Sequence, residues 1–145
     1  MNQDKHIIGW REWVTLPEWG VTLRGKADTG ARSSAIDCSA ITELAEERVR
    51  FTLHLSRDGN EDSLTLEAPI AQRKHVKSST GHGYDRIFVE TILSLSGLEK
   101  KILVSLTCRK TMIHRMLIGR EALGGDFIVD SSVDHWATPR NVSAL

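Results

Sequence analysis

Between Val49 and Leu55 the chain reads Val-Arg-Phe-Thr-Leu-His-Leu, apolar and polar by turns. Successive side chains of a strand point to opposite faces, so this pattern predicts a strand with one face for a core and one for water. The same grammar recurs along the chain. Ile7 to Val14 and Val21 to Lys26 flank the turn-prone Leu16-Pro17-Glu18, and Ser63 to Glu67 returns after Arg57-Asp58-Gly59-Asn60, which predicts a hairpin with 49–55. Arg86 to Leu95 and Lys101 to Thr107 bracket Ser96-Gly97 as a second hairpin. Only Ile41 to Arg48 and Arg120 to Leu123 suggest helix, both short. Many short strands with regular turn signals favour an all-β fold built as a closed or partly closed barrel.

With 145 residues the chain reads as one domain, 1–145, with an ordered core expected at about 6–131 and a loosely ending polar tail, DSSVDHWATPRNVSAL. Lys and Arg number 19 and so do Asp and Glu, so no broad electrostatic footprint for nucleic acid is expected, and near-neutrality favours self-association. The start, MNQDKHIIGW, lacks a basic segment followed by an apolar core, and no apolar run approaches a membrane span. Two cysteines without a framework point to a reducing compartment, so the expected location is the cytoplasm.

Within Leu23 to Ile36, LRGKADTGARSSAI, a strand runs into Asp28-Thr29-Gly30. A carboxylate at a strand end, followed by Thr and Gly, makes a tight loop that holds the acid out of the ladder. The same triplet is also ordinary turn chemistry. One carboxylate cannot serve as acid and base on the same water. Two that share a proton can, because like charges a few Å apart favour the state in which only one is ionised. The chain has one such triplet, so a second carboxylate must come from another copy, in an isologous dimer with the site on its two-fold axis. Far downstream, Met116 to Leu123, MLIGREAL, leads two apolar residues into Gly119-Arg120; read by itself it is a buried strand entering a helix that Gly124-Gly125 stops.

In this order of segments the chain resembles the single-domain, retropepsin type of aspartic peptidase. There, DTGA is followed, after a flap hairpin and two more strands, by an apolar-apolar-Gly-Arg strand and a short helix. The closer resemblance spans nearly the whole chain. Ile8 to Val21 (IGWREWVTLPEWGV), Lys26 to Ile36 (KADTGARSSAI), Val76 to Arg86 (VKSSTGHGYDR), Arg109 to Leu123 (RKTMIHRMLIGREAL) and Phe127 to Asp130 (FIVD) are similar to a bacterial family labelled ATP-dependent zinc proteases and better described as retropepsin-like. The resemblance implies an acid-protease barrel with one or two short helices, Asp28, Thr29 and Gly30 as the catalytic triplet, and Gly119 and Arg120 as its structural support. Members often stand near or fused to ATP-grasp ligases that add glutamate to protein tails. This implies cleavage or trimming of a peptide, glutamate-rich ones among the candidates, and a functional association with such a ligase.

No Gly-rich phosphate cradle of the GxxxxGK[ST] type and no HExxH pair is present, so neither ATP nor zinc nor another cofactor is expected. The six histidines are scattered and Cys38 and Cys108 stand alone; the least implausible metal reading joins His75 and His82, which are more often solvated loop residues. Arg73 to Tyr84, RKHVKSSTGHGY, occupies the flap's place. Ser79, Thr80 and Gly81 there, with Ala31, Arg32 and Ser33 beside the catalytic loop, are the substrate-binding candidates. Arg32 suits a carboxylate through paired hydrogen bonds, or else a surface ion pair. Trp10, Trp13 and Trp19 offer either a binding surface or, by preference, packing. An insertion at about Ile41 to Ala68 bears on the cleft or the dimer, Arg120 lacks the acidic partner of the viral pattern, and His114-Arg115 reads as a local surface change. Two functions compete: a homodimeric aspartic peptidase, and a non-catalytic peptide-binding module on the same barrel.

Overall fold

In a computed structural model, which describes residues 4–55, 63–77, 80–108 and 113–141, the alternating segments become strands. In chain order these are β1 (His6–Leu16), β2 (Val21–Ala27), β3 (Ser34–Leu44), β4 (Arg48–His54), β5 (Ser63–Pro69), β6 (Gln72–Lys77), β7 (Gly83–Leu95), β8 (Leu98–Thr107), β9 (Met116–Ile118) and β10 (Phe127–Asp134), with one helical turn, α1 (Arg120–Leu123), before the last. Hydrogen-bonded neighbours run β1-β2-β9-β3-β8-β7, and Thr15 pairing with Ser94 joins β7 back to β1, closing a barrel. Outside this ring, β10 pairs with β1, β6 with β7, and the β4–β5 hairpin extends from β3. The fold is therefore the all-β closed barrel expected.

Strand interiors supply the core through the period-two rule. In β2, Val21, Leu23 and Gly25 face inward while Thr22, Arg24 and Lys26 face out. Val14, Ile36, Phe51, Leu93, Val104 and Met116 are fully buried, and each such side chain contributes roughly 1.5–3 kcal/mol relative to exposure. Ser96 and Gly97 turn β7 into β8 with φ of 55° and 79°, the left-handed pair that a two-residue hairpin loop uses.

Three expectations change. Ile41 to Arg48 is not helical: β3 continues to Leu44, Glu46 and Glu47 turn at φ of 61° and 57°, and β4 starts at Arg48. An eight-residue helix has little stability of its own. A hairpin satisfies the same backbone groups, with Thr42 opposite Arg50 and Leu44 opposite Arg48, and it sends Val49, Phe51 and Leu53 into the core. The inserted segment is thus core material, and Trp19 packs edge-on against Phe51 at 5.5 Å.

The polar tail is also held, at least to residue 141. The side chain of Glu12 is buried, and its Oε2 accepts hydrogen bonds from the backbone N–H groups of Gly9 (2.6 Å), Trp136 (2.8 Å) and Ala137 (2.8 Å). Its Oε1 accepts from Thr138 N–H (2.9 Å) and the Thr138 hydroxyl (2.7 Å). Backbone donors, invisible to a composition argument, anchor the tail. Because β10 pairs in parallel with β1, the two terminal strands of the chain lie side by side within one molecule.

The third change concerns Arg115. It is buried, and its guanidinium donates to Asp37 Oδ2 at 2.8 Å. A partner 78 positions away turns an apparent surface substitution into an internal ion pair.

Candidate active site

β9 is only Met116–Ile118, yet it lies between β2 and β3, parallel to the first and antiparallel to the second. Parallel pairing of Ala27 with Ile118 brings the C-terminal ends of both strands to the same edge of the barrel. Asp28 leaves one strand where Gly119 leaves the other, although roughly ninety residues separate them in sequence. Asp28 N–H donates to the Ile118 carbonyl at 2.8 Å, Arg120 N–H to the Ala31 carbonyl at 2.8 Å and Glu121 N–H to the Arg32 carbonyl at 3.0 Å. The Asp28 loop therefore rests on the start of α1.

Asp28 is half-buried and Thr29 and Gly30 are exposed. Its Oδ1 accepts from Gly30 N–H at 3.1 Å, and Ala31 N–H returns to the Asp28 carbonyl at 3.2 Å, the Asx pattern that stiffens a short loop. A Cβ added at Gly30 would stand 3.4 Å from Asp28 Oδ1, in contact with the carboxylate. Gly119 has the stricter requirement. Its φ of −86° suits any residue, but an added Cβ would lie 2.5 Å from both the carbonyl carbon and oxygen of Ser33. Its N–H donates to Ser34 Oγ at 3.0 Å, so a buried serine that sequence reasoning passed over fixes this crossing. The signal for it was slight, a hydroxyl next to Ser33 at a strand start.

Arg120 is exposed and donates to the Thr29 carbonyl at 3.1 Å. Its role within the chain is to brace the loop by a backbone bond, and no ion pair holds it among the described residues. Arg32 is exposed and stands 3.7 Å from Glu121, an arrangement in water that contributes little stability. Together with Ser33, Gln72, Lys74, Phe88, Leu103 and Glu121 it lines a cavity of about 130 Å³. The loop after Asp28 thus meets the base of the β6–β7 hairpin.

That hairpin stands where the flap was expected. Its strands pair from Gln72–Phe88 to Lys77–Gly83. Arg73 ties its foot to Glu43 (2.6 Å) and Glu47 (2.5 Å) at the β3–β4 turn. Thr80 and Gly81 are exposed near its tip, Gly81 at φ 89°; Ser79 lies outside the described residues. His75 Nδ1 lies 3.0 Å from Asp85 Oδ1, which can accept its N–H, and the ring covers Gly83, where a Cβ would fall 2.4 Å from Nε2. Among the described residues no three His, Cys, Asp or Glu side chains converge as a metal site would require. Cys38 is buried, and burial first, then Asp37, push its thiol up to about 12. The three tryptophans sit apart in packing contacts: Trp10 on His114, Trp13 under Arg24, Trp19 on Phe51.

A closed barrel that sets an Asp-Thr-Gly loop against an Ile-Gly-Arg strand end is a retropepsin-like protein. Residues 7–139 match the family described as "RimB-like: Retropepsin-like aspartic endopeptidase RimB", and the chain belongs to that family. A Shewanella pealeana protein named "Probable alpha-L-glutamate ligase" is 34% identical over 136 residues, covering 91% of this chain and 30% of that protein. A Desulfotalea psychrophila protein of the same name is 32% identical over 139 residues, with 92% and 30% covered. The chain thus spans about 30% of the length of the curated relatives it matches. A crystal structure of a Legionella pneumophila protein of unknown function has a TM-score of 0.74 at 26% identity, covering 92% of this chain and 98% of that one. Among the described residues no helix is long and apolar enough to cross a membrane.

Proposed function

We propose that the protein is an aspartic peptidase that works as a homodimer, with Asp28 of each chain supplying half of one site. The observation that carries this reading is the Asp28 loop itself. Asp28 is half-buried, its backbone N–H donates to the Ile118 carbonyl, its carboxylate accepts from Gly30 N–H, and Arg120 braces the loop through the Thr29 carbonyl. In the reaction, one ionised Asp28 takes a proton from water as the water oxygen bonds to the scissile carbonyl carbon. The protonated Asp28 gives its proton to the carbonyl oxygen. The resulting tetrahedral diol then collapses: the Asp28 left ionised takes a proton from one diol hydroxyl as the carbonyl re-forms, the C–N bond breaks, and the carboxyl proton of the other Asp28 passes to the leaving amine nitrogen. Neither step needs a cofactor.

The family match supports a peptidase fold, and the ligase names of the relatives support a substrate that carries added glutamate, with the two activities serving one tail. Arg32 and Lys74 in the cavity beside Ser33 favour acidic side chains, since a guanidinium engages a carboxylate bidentately. A cytoplasmic setting fits such a partnership.

Asp28→Asn keeps size and hydrogen bonding but removes the ionised form, so peptidase activity should vanish while fold and dimer persist. Mixing wild type with this variant sharpens the test. If both carboxylates are needed, activity falls as the square of the wild-type fraction under random exchange. A linear fall would mean that each chain works alone, and full activity of the Asn homodimer would remove Asp28 from the mechanism and favour a peptide-binding module. The same assay run with acidic and neutral peptides tests the specificity: equal turnover, unchanged in Arg32→Ala, would defeat it.

A further inference from the structure

Away from the Asp28 loop, the outward face of β1 and β2 carries an unusual concentration of positive charge. The antiparallel register puts Arg11 directly opposite Lys26 and Trp13 directly opposite Arg24. Like charges facing each other across a strand pair are destabilising, so this face is not arranged for stability alone. The segment 113–115, entering β9 beside β2, adds His114 and Arg115. Arg11, Trp13, Arg24, Leu55, Ile113, His114 and Arg115 enclose a cavity of about 330 Å³.

The nearby acids are already committed. Asp134 takes Arg11 through two hydrogen bonds, from Nε at 3.0 Å and Nη2 at 2.5 Å, and Asp37 takes Arg115. Arg24, Lys26 and His114 are left without an ion pair among the described residues. Arg24 sits over the Trp13 ring, its guanidinium carbon 4.4 Å from the ring centre, and donates one Nη2 bond to the Arg140 carbonyl at 3.3 Å. Its Nε, and the Nε2 of His114, are buried with no hydrogen-bond partner among the described residues. A buried Arg24 Nε–H without an acceptor is costly in a folded protein and calls for one, and His114 Nε2 is a second unpartnered ring nitrogen in the same pocket wall. The electrostatics agree: burial first, then Arg11, lower Arg24, and burial followed by Arg11, Lys26 and Arg24 lower His114.

We propose that this pocket is an oxyanion-binding site, taking a carboxylate or phosphate group between Arg24 and His114 with Lys26 adding charge, and distinct from the site at Asp28. Arg24 precedes Asp28 by four residues, along β2 and one step past its end, so their backbones are about 13 Å apart. A planar guanidinium pre-positioned on an indole loses little freedom on binding, which suits it to this work. The inference goes beyond the peptidase reading and stands on different residues.

Titrating the full chain with inorganic phosphate, and separately with glutarate, tests it, with Trp13 in the pocket wall as fluorescence reporter. Saturable binding of at least one probe is expected, and the tighter of the two identifies the preferred group. Arg24→Gln should weaken that binding about tenfold or more, as loss of a charge-assisted contact does. Lys26→Gln, at an exposed position that leaves the core untouched, should weaken it roughly twofold to fivefold through its field. Asp28→Asn should leave it unchanged. Absence of saturable binding by both probes, or equal affinity in wild type and Arg24→Gln, would overturn the proposal, and loss of binding in Asp28→Asn would overturn the separation from the active site.

Discussion

Replacing Glu12 should cost this protein more than any substitution on its surface, and in a graded way. The carboxylate is 1% exposed and accepts five hydrogen bonds, three at Oε2 and two at Oε1. In Glu12→Gln the amide oxygen can serve the three donors at Oε2, but the NH2 then faces Thr138 N–H, donor against donor. The loss is one charge-assisted bond plus one stranded N–H, about 2 kcal/mol or somewhat more. Glu12→Ala removes every acceptor. Its cost is about 3–5 kcal/mol, the range for removing one partner of a buried charged group, and it is capped because residues 135–141 can peel off and hydrate. Urea unfolding gives both values, and the Gln variant should lose roughly 6–8 °C of Tm in a domain of this size. Hydrogen exchange adds the local readout: Trp136, Ala137 and Thr138 amides should lose protection in the Ala variant while the amides of β8 keep theirs. A Gln variant within about 0.5 kcal/mol of wild type, with those three amides still protected, would refute the idea that Glu12 anchors the tail.

Two further outcomes follow from the geometry. Gly119→Ala forces a Cβ against the Ser33 backbone, so it should cost about 1–3 kcal/mol as an overpacking change and, because Arg120 N–H and Asp28 N–H tie this crossing to the Asp28 loop, reduce the proposed peptidase turnover out of proportion to its effect on Tm; unaltered turnover would count against the bracing role. Burial holds His135 and His114 below their ordinary pKa, so near pH 6.5 the unfolded chain binds protons that the native chain does not. Stability from these groups is complete above about pH 6.5 and is lost as the pH falls below it toward the folded-state values. Tm measured from pH 7.5 to 5.5 should therefore decline, less steeply in His135→Gln, and a flat or rising profile would contradict the assignment.

Local chemistry was enough to place most strands and the central motif. Alternation in 49–55 requires only a two-residue period, Ser96-Gly97 requires only that two residues accept left-handed φ, and Asp28-Thr29-Gly30 followed far on by Leu117-Ile118-Gly119-Arg120 is a pattern of residue types along the chain. Each of these is settled by neighbours within a few positions. Tertiary structure decided what depends on a distant partner. Ile41 to Leu44 has the composition of a weak helix and became strand because β4 offered a ladder and a core for Phe51. Glu12 and Arg115 are residues of a kind that composition assigns to the surface and yet are buried, because five donors converge on the one and Asp37, 78 positions away, meets the other. Above all, the three residues of β9 come to lie between β2 and β3, and only that insertion, a matter of long-range pairing and closure, puts Gly119 under the Asp28 loop.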